Sequence, residues 1–264
     1  MYPSVQIGDK NLNLYSVAVL CGLLFAGAYG LLQAKKRGLD INAVLDLCVW
    51  SLGGILVGSH LLYALVNLRD ALSLFGNPVV YSSLSLFGQA LAYIFGGAVF
   101  YGGLFGGLLV GWLWLKRKKT DPQVVGACLV PAIPLFHFFG RIGCFLGGCC
   151  YGIPSPYGFT FTHSLLETAN GVSRFPIQLV ESGFNLLLFF ALHYLANRKE
   201  KQRWLLIIYL SAYGLARFVF EFFRGDVYRG FFWGLSTSQW ISLGVLAAVG
   251  GYLFVGRKKP SPDN

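Results

Sequence analysis

The chain has 264 residues, 55% of them hydrophobic and only 12% charged, with a net charge of +10 at pH 7. A mean hydropathy of +0.60, with charged residues far below the usual share of about 25%, excludes an ordinary soluble domain. The composition is that of an integral membrane protein.

Seven apolar stretches approach the roughly 20 residues that cross a hydrocarbon core. They lie at about 12–33, 43–66, 92–115, 123–145, 177–196, 204–223 and 237–255. Asp9 and Lys10 precede the first, and its apolar run is too long for a cleaved leader, so it is expected to stay attached. Basic residues gather at alternate junctions: Lys35 to Arg37, Lys116 to Lys119, Arg198 to Arg203, and Arg257 to Lys259. The positive-inside rule makes these the cytoplasmic ends, with the N-terminus outside and the C-terminus in the cytoplasm. The positive charge therefore has a topological cause, and no nucleic-acid partner is expected. The expected architecture is an all-α polytopic protein of about seven transmembrane helices, organised as a single domain over 1–264. The segments 68–90, 146–176 and 224–236 fall outside, and the middle one is long enough to make a small extracytoplasmic cap.

The third stretch carries Gly96, Gly97, Gly102, Gly103, Gly106 and Gly107. Small residues four apart let helix backbones touch in lipid, and the alternative is bare backbone that admits a lipid headgroup. At the outer end of the fourth stretch lies GRIGCFLGGCCYG, Gly140 to Gly152. There, backbone N–H groups freed by glycine stand beside Arg141, a combination suited to a phosphate nest. In the sixth stretch Arg217, Glu221 and Arg224 are spaced four and three apart, which on a helix puts all three on one face. Ionisable groups at membrane depth cost several kcal/mol unless they pair or line a polar cavity, so they mark a functional site by default.

Outside the cytoplasmic clusters the basic residues are Lys10, Arg69, Arg141, Arg174, Arg217, Arg224 and Arg229. Their bias towards arginine, whose planar fork grips phosphate or carboxylate, points to an anion site at the outer face. The bland alternative is snorkelling, or pairing with Glu167, Glu181, Glu221 and Asp226. Cys21, Cys48 and Cys128 are spread through apolar stretches as packing residues. For Cys144, Cys149 and Cys150 three readings stand open: a disulfide pinning the loop, a thiol active in transfer beside Arg141, or a metal site. The spacing lacks the paired pattern of zinc sites. No metal and no cofactor is expected.

In order along the chain, LYS at Leu14 to Ser16, FYGGLFGG at Phe100 to Gly107, GRIGCFLGGCCYG, SRFPIQLVE at Ser173 to Glu181, YGLARFVFEFFRGD at Tyr213 to Asp226 and GLSTSQWISL at Gly234 to Leu243 resemble the prolipoprotein diacylglyceryl transferase family. The resemblance implies a multi-pass enzyme of the bacterial inner membrane. Such an enzyme moves the diacylglyceryl group of phosphatidylglycerol to the lipobox cysteine of exported prolipoproteins and releases glycerol phosphate. It further implies that Arg141 binds the lipid phosphate and that Arg217 is essential, with Glu221 and Arg224 as its acidic and basic neighbours. Tyr15 matches a functional tyrosine, and Cys144 and Gly152 fall among the substrate-binding positions.

The chain departs from the family pattern at four places. Tyr101 stands where a histidine of an HGG motif serves as base, Cys144 replaces an asparagine, Cys149 a glutamate, and His60 an arginine. Tyrosine, with an ordinary pKa near 10, is a poor base at neutral pH. His137, four residues before Arg141 on the same helical face, titrates in a suitable range. His137 is therefore the expected base, with Tyr101 holding a phosphate oxygen or the nucleophile; the alternative for a lone histidine in a span is a hydrogen-bonded packing residue. The alternatives to this transferase are the same fold and donor lipid with a different acceptor or reaction, and a lipid or small-anion transporter.

Overall fold

A computed structural model describes residues 3–8, 10–97, 99–164, 166–226 and 230–257. Among them, a short hairpin of β1 (Ser4–Ile7) and β2 (Lys10–Asn13) leads into α1 (Leu14–Lys36), followed by α2 (Ile41–Val66), α3 (Leu68–Phe75), α4 (Leu84–Phe95), α5 (Phe100–Lys118), α6 (Pro122–Leu129) and α7 (Ala132–Gly147). Strands β3 (Pro154–Thr160) and β4 (Ser173–Arg174) precede α8 (Ile177–Ala196) and α9 (Leu205–Phe220). The two-residue strands β5 (Phe231–Phe232) and β6 (Leu235–Ser236) then open α10 (Thr237–Arg257).

Among the described residues, six helical segments are long and apolar enough to cross a membrane: 14–36, 41–66, 122–147, 177–196, 199–223 and 237–255. The expected stretch 92–115 is divided between α4 and α5 at Gly96 and Gly97, so it does not form one helix. Along α2, Leu45, Val49, Trp50, Leu52 and Leu56 face outward, a continuous apolar exposure suited to lipid rather than water.

The chain divides into two compact units, residues 34–125 and residues 1–33 with 126–264. In the first, α2 packs on α5 through glycine. A Cβ on Gly58 would meet the Gly102 carbonyl oxygen at 2.2 Å, and one on Gly106 would meet that of Gly54 at 2.2 Å. Backbone touches backbone, the close-packing outcome of the two readings of this glycine run. His60 Nδ1 bonds the Gly97 carbonyl at 2.8 Å, where the family's arginine is replaced by a packing histidine.

In the second unit, α7 packs on α8, α8 on α9, and α9 on α10. The buried stripe of α8 is divided along its length. Gln178, Glu181, Ser182 and Asn185 occupy the first half, and Leu188, Leu192 and Ala196 the second. The apolar half joins Ala127, Val130, Leu205 and Tyr209 in the main core. The polar half is where the site lies.

Between α7 and α8 the chain folds into a small cap around Phe145, Tyr151, Phe161 and Ala169. Arg174 holds it together. Its guanidinium stacks 4.2 Å from the Tyr151 ring and donates to the carbonyls of Ala169, Gly152 and Thr168. Three of its five N–H donors are thus committed to the cap's own backbone.

Candidate active site

Glu181 is the centre of the site. Only 3% exposed, it receives Arg141 Nε on Oε2 and Arg217 Nη1 on Oε1 at 3.2 Å. One carboxylate of α8 thus clamps a guanidinium from α7 to one from α9. Arg217 also reaches Glu221 Oε2 at 2.9 Å and donates to Ser238 Oγ at 3.1 Å. A capping box sets Ser238 in the first turn of α10. Ser236 N–H donates to Gln239 Oε1 at 2.9 Å, and Gln239 N–H donates back to Ser236 Oγ at 3.2 Å.

Arg217 and Glu221 pair one helical turn apart, as their spacing predicts. Arg224 does not share that face. Helix α9 ends at Phe220, a short 3₁₀ turn covers Glu221–Phe223, and Arg224 is extended. It forks onto Asp226, with Nε to Oδ1 at 3.1 Å and Nη2 to Oδ2 at 2.7 Å. The acid that couples Arg217 to a second arginine is therefore Glu181, and that second arginine is Arg141.

Three guanidiniums meet three carboxylates in this cluster, which limits the cost of burying each charge. Arg141 meets Glu181 through Nε, and a guanidinium carries four further N–H donors on its two Nη groups. Among the described residues, nearby polar atoms lack partners: His137 Nδ1, Gln178 Oε1 and Asn185 Oδ1 are buried without a hydrogen bond. Gln178 and Asn185 flank Glu181 by about one turn on the same stripe. Buried polar atoms without partners are rare and call for a local reason such as a ligand.

The other expected residues of this unit lie on α7, against it, or in the cap. The His137 ring lies 5.2 Å from that of Tyr213. Tyr15, at the start of α1, packs on Gly143, where a Cβ would stand 3.2 Å from the tyrosine ring and 3.3 Å from its carbonyl oxygen. Gly152 lies where three segments meet, since a Cβ there would stand 2.2 Å from the Phe175 carbonyl oxygen and 3.1 Å from that of Phe223. Its absence of a side chain is a packing requirement. The side chain of Tyr101 lies outside the described residues, as does Arg229.

The signature helix α7 ends on Gly148, whose φ of +72° turns the chain back so that Cys149 N–H donates to the Cys144 carbonyl at 3.1 Å. Gln178 Nε2 holds the Cys149 carbonyl at 2.9 Å. The sulfurs of Cys144, Cys149 and Cys150 lie within 4.8 Å of one another, and all three are free thiols where the disulfide reading would have joined two. Hydrogen bonds from its two neighbours, with Arg224 and Arg141 assisting, hold the Cys150 thiol well below its ordinary pKa. The same contacts push Cys149 up.

The family model described as prolipoprotein diacylglyceryl transferase matches residues 3–255. The chain belongs to this family. It is 34% identical over 237 residues to the phosphatidylglycerol–prolipoprotein diacylglyceryl transferase of Clostridium tetani, covering 88% of this chain and 89% of that one. Proteins of the same name from Idiomarina loihiensis and Bordetella parapertussis are each 30% identical, covering 97% and 96% of this chain. As a member of the prolipoprotein diacylglyceryl transferase family, the chain is a multi-pass membrane protein.

Glu181 and Ser238 are not among the expected site residues, although both lie within the quoted motifs. A charge count inside the apolar stretches finds Glu181. Arg141 and Arg217 need anions at depth, and the acids within the spans are few: Asp46, Glu181, Glu221 and, at the basic end of its span, Glu200.

Proposed function

We propose that this protein transfers the diacylglyceryl group of phosphatidylglycerol to the lipobox cysteine thiol of exported prolipoproteins. The reaction releases glycerol phosphate and takes place in the bacterial inner membrane. The chain acts as one membrane-embedded transferase over 1–264, with its N-terminus outside, its C-terminus cytoplasmic, and phosphatidylglycerol and prolipoproteins as partners. The observation that carries this reading is the buried Arg141–Glu181–Arg217 bridge.

Attack of the acceptor sulfur on the glycerol carbon expels a phosphate monoester, so negative charge gathers on the departing oxygen. Guanidinium groups fixed in advance, in a site poor in water, stabilise that charge better than mobile solvent does. Arg141 grips the lipid phosphate through its Nη groups. Arg217, locked by Glu181, Glu221 and Ser238, adds positive charge without moving. Arg224, held by Asp226, supplies a third cation at the edge. His137 receives the acceptor's proton, Tyr15 orients the lipid head, and Cys144 and Gly152 line the substrate's path.

The test mixes purified protein, labelled phosphatidylglycerol and a lipobox peptide, and looks for a thioether-linked diacylglyceryl peptide. Arg141→Ala is expected to lose product by about 10²–10³-fold, as when one charge-stabilising donor is removed from an active site. Phosphatidylglycerol consumed without peptide modification overturns the acceptor, and lipid binding without turnover overturns the enzyme.

A further inference from the structure

Cys144 lies one turn after Arg141, and Cys149 and Cys150 follow just past the end of the same helix, yet the transfer just described uses only one of the three, as lining. Its geometry is that of a ligand set. Three sulfurs on a single tight turn lie within 4.8 Å of one another. Zinc–sulfur bonds of about 2.3 Å at tetrahedral angles separate sulfurs by roughly 3.8 Å, so side-chain rotation alone closes the difference. The turn itself is fixed by Gly148 at φ +72°, by the Cys149 to Cys144 backbone bond and by Gln178. Cys150 adopts a left-handed φ of +53°, a conformation that costs a residue with a Cβ some free energy and so needs support from its surroundings.

The charges agree. A divalent ion on three thiolates leaves a net charge of −1, and the Arg141 and Arg224 guanidiniums both act on Cys150. Three protein ligands with an open fourth position are the pattern of a reactive zinc site rather than a structural one.

We infer that Cys144, Cys149 and Cys150 form a three-thiolate site for a soft divalent cation of the zinc class, whose fourth position takes the acceptor cysteine as thiolate. The fourth-position assignment rests on the transferase reading; the metal site does not. Coordination deprotonates a thiol outright, and the acceptor's proton passes by way of His137 to solvent. The sulfur's electron pair forms the bond to the glycerol carbon. The carbon–oxygen bond breaks with its pair going to the phosphate oxygen facing Arg141. Glycerol phosphate departs, and the neutral thioether, a weak ligand, leaves the metal. Nothing is oxidised or reduced.

The test uses the full chain in detergent, purified under reducing conditions without chelator. Its zinc content is measured by mass spectrometry, and cadmium is titrated into the zinc-depleted protein while the sulfur-to-metal charge-transfer absorption is followed. The expected result is one zinc per chain and a cadmium band that saturates at one equivalent, shifts with a lipobox peptide and does not shift with the peptide's Cys→Ser form. Cys150→Ser abolishes the band. No saturable band in the folded wild-type chain, or thiol mapping that finds two of the three cysteines bridged in the protein as isolated, overturns the site. A band indifferent to the peptide overturns the fourth-position assignment. Phosphatidylglycerol turnover in the same preparation separates the two proposals: bound zinc without turnover sinks the transferase reading, and turnover without bound zinc sinks this one.

Discussion

Two helix contacts in this protein join apolar segments by opposite means. Between α2 and α5 backbone meets backbone, with Gly54 and Gly58 against Gly102 and Gly106. Among α7, α8 and α9 the join is ionic, with Arg141 and Arg217 on Glu181. The first contact is inexpensive, since small residues give up no polar group and lose little side-chain entropy. The second takes charges out of water, and a buried ion pair often contributes less stability than apolar residues of the same volume would. A protein that can join helices with glycine does not need buried arginines for that purpose. The ionic join therefore has a use beyond cohesion.

The sharpest way to break this contrast is Glu181→Gln. Removing one partner of a buried charge pair costs about 3–5 kcal/mol, and here two guanidiniums lose their shared anion together. Thermal unfolding in detergent should drop accordingly, and lipobox-peptide modification should fall by at least as much as in Arg141→Ala. Full turnover in the Glu181→Gln variant would make the bridge a mere helix joint and erase the distinction. Next in size is Gly58→Leu. A Cβ alone already meets the Gly102 carbonyl oxygen at 2.2 Å, so the larger side chain forces α2 from α5 at about 3 kcal/mol, the upper end of ordinary overpacking costs. The readout is loss of monodisperse protein on size exclusion. A normal elution profile and melting temperature would mean the close glycine contact is not needed.

Those two contacts differ as much in legibility as in chemistry. The glycine contact can be read as small residues four apart, because the spacing itself is the cause. The Arg217–Glu221 pair is legible for the same reason, being one turn of one helix. Spacing misplaces Arg224 because the same arithmetic is carried past Phe220, where the helix gives way to a 3₁₀ turn and an extended chain. Glu181 cannot be found by spacing at all, since Arg217 is 36 residues away along the chain and Arg141 is more distant still. What the sequence does carry is the imbalance, two membrane-depth cations with few acids to meet them. The cysteines are an intermediate case. Gly147 and Gly148 announce a helix end, but not that the turn brings three sulfurs together. The interruption of 92–115 is carried by Gly96 and Gly97 and hidden by their apolar neighbours.

The mildest test sharpens the ionic side of the contrast by asking whether Arg217 is over-determined. Its guanidinium has three partners: two carboxylates, and Ser238 Oγ at 3.1 Å. The serine is the neutral one and is placed by the capping box of α10, so removing it leaves charge balance untouched. Ser238→Ala deletes one hydrogen bond to a charged group, worth about 1.5 kcal/mol at the lower end of its range. Because both carboxylates remain, the stability loss should stay near that figure. Arg217 would be free to rotate about its carboxylate contacts, and kcat for peptide modification should fall by roughly tenfold, the rate equivalent of about 1.4 kcal/mol, with KM for phosphatidylglycerol little changed. Ser238→Thr, which keeps the hydroxyl, should recover most of the rate. A change under twofold in the alanine variant would mean the two acids suffice to fix Arg217. A loss as deep as that of Arg217→Ala would instead mean that the serine hydroxyl meets the substrate directly, and the site would extend onto the first turn of α10.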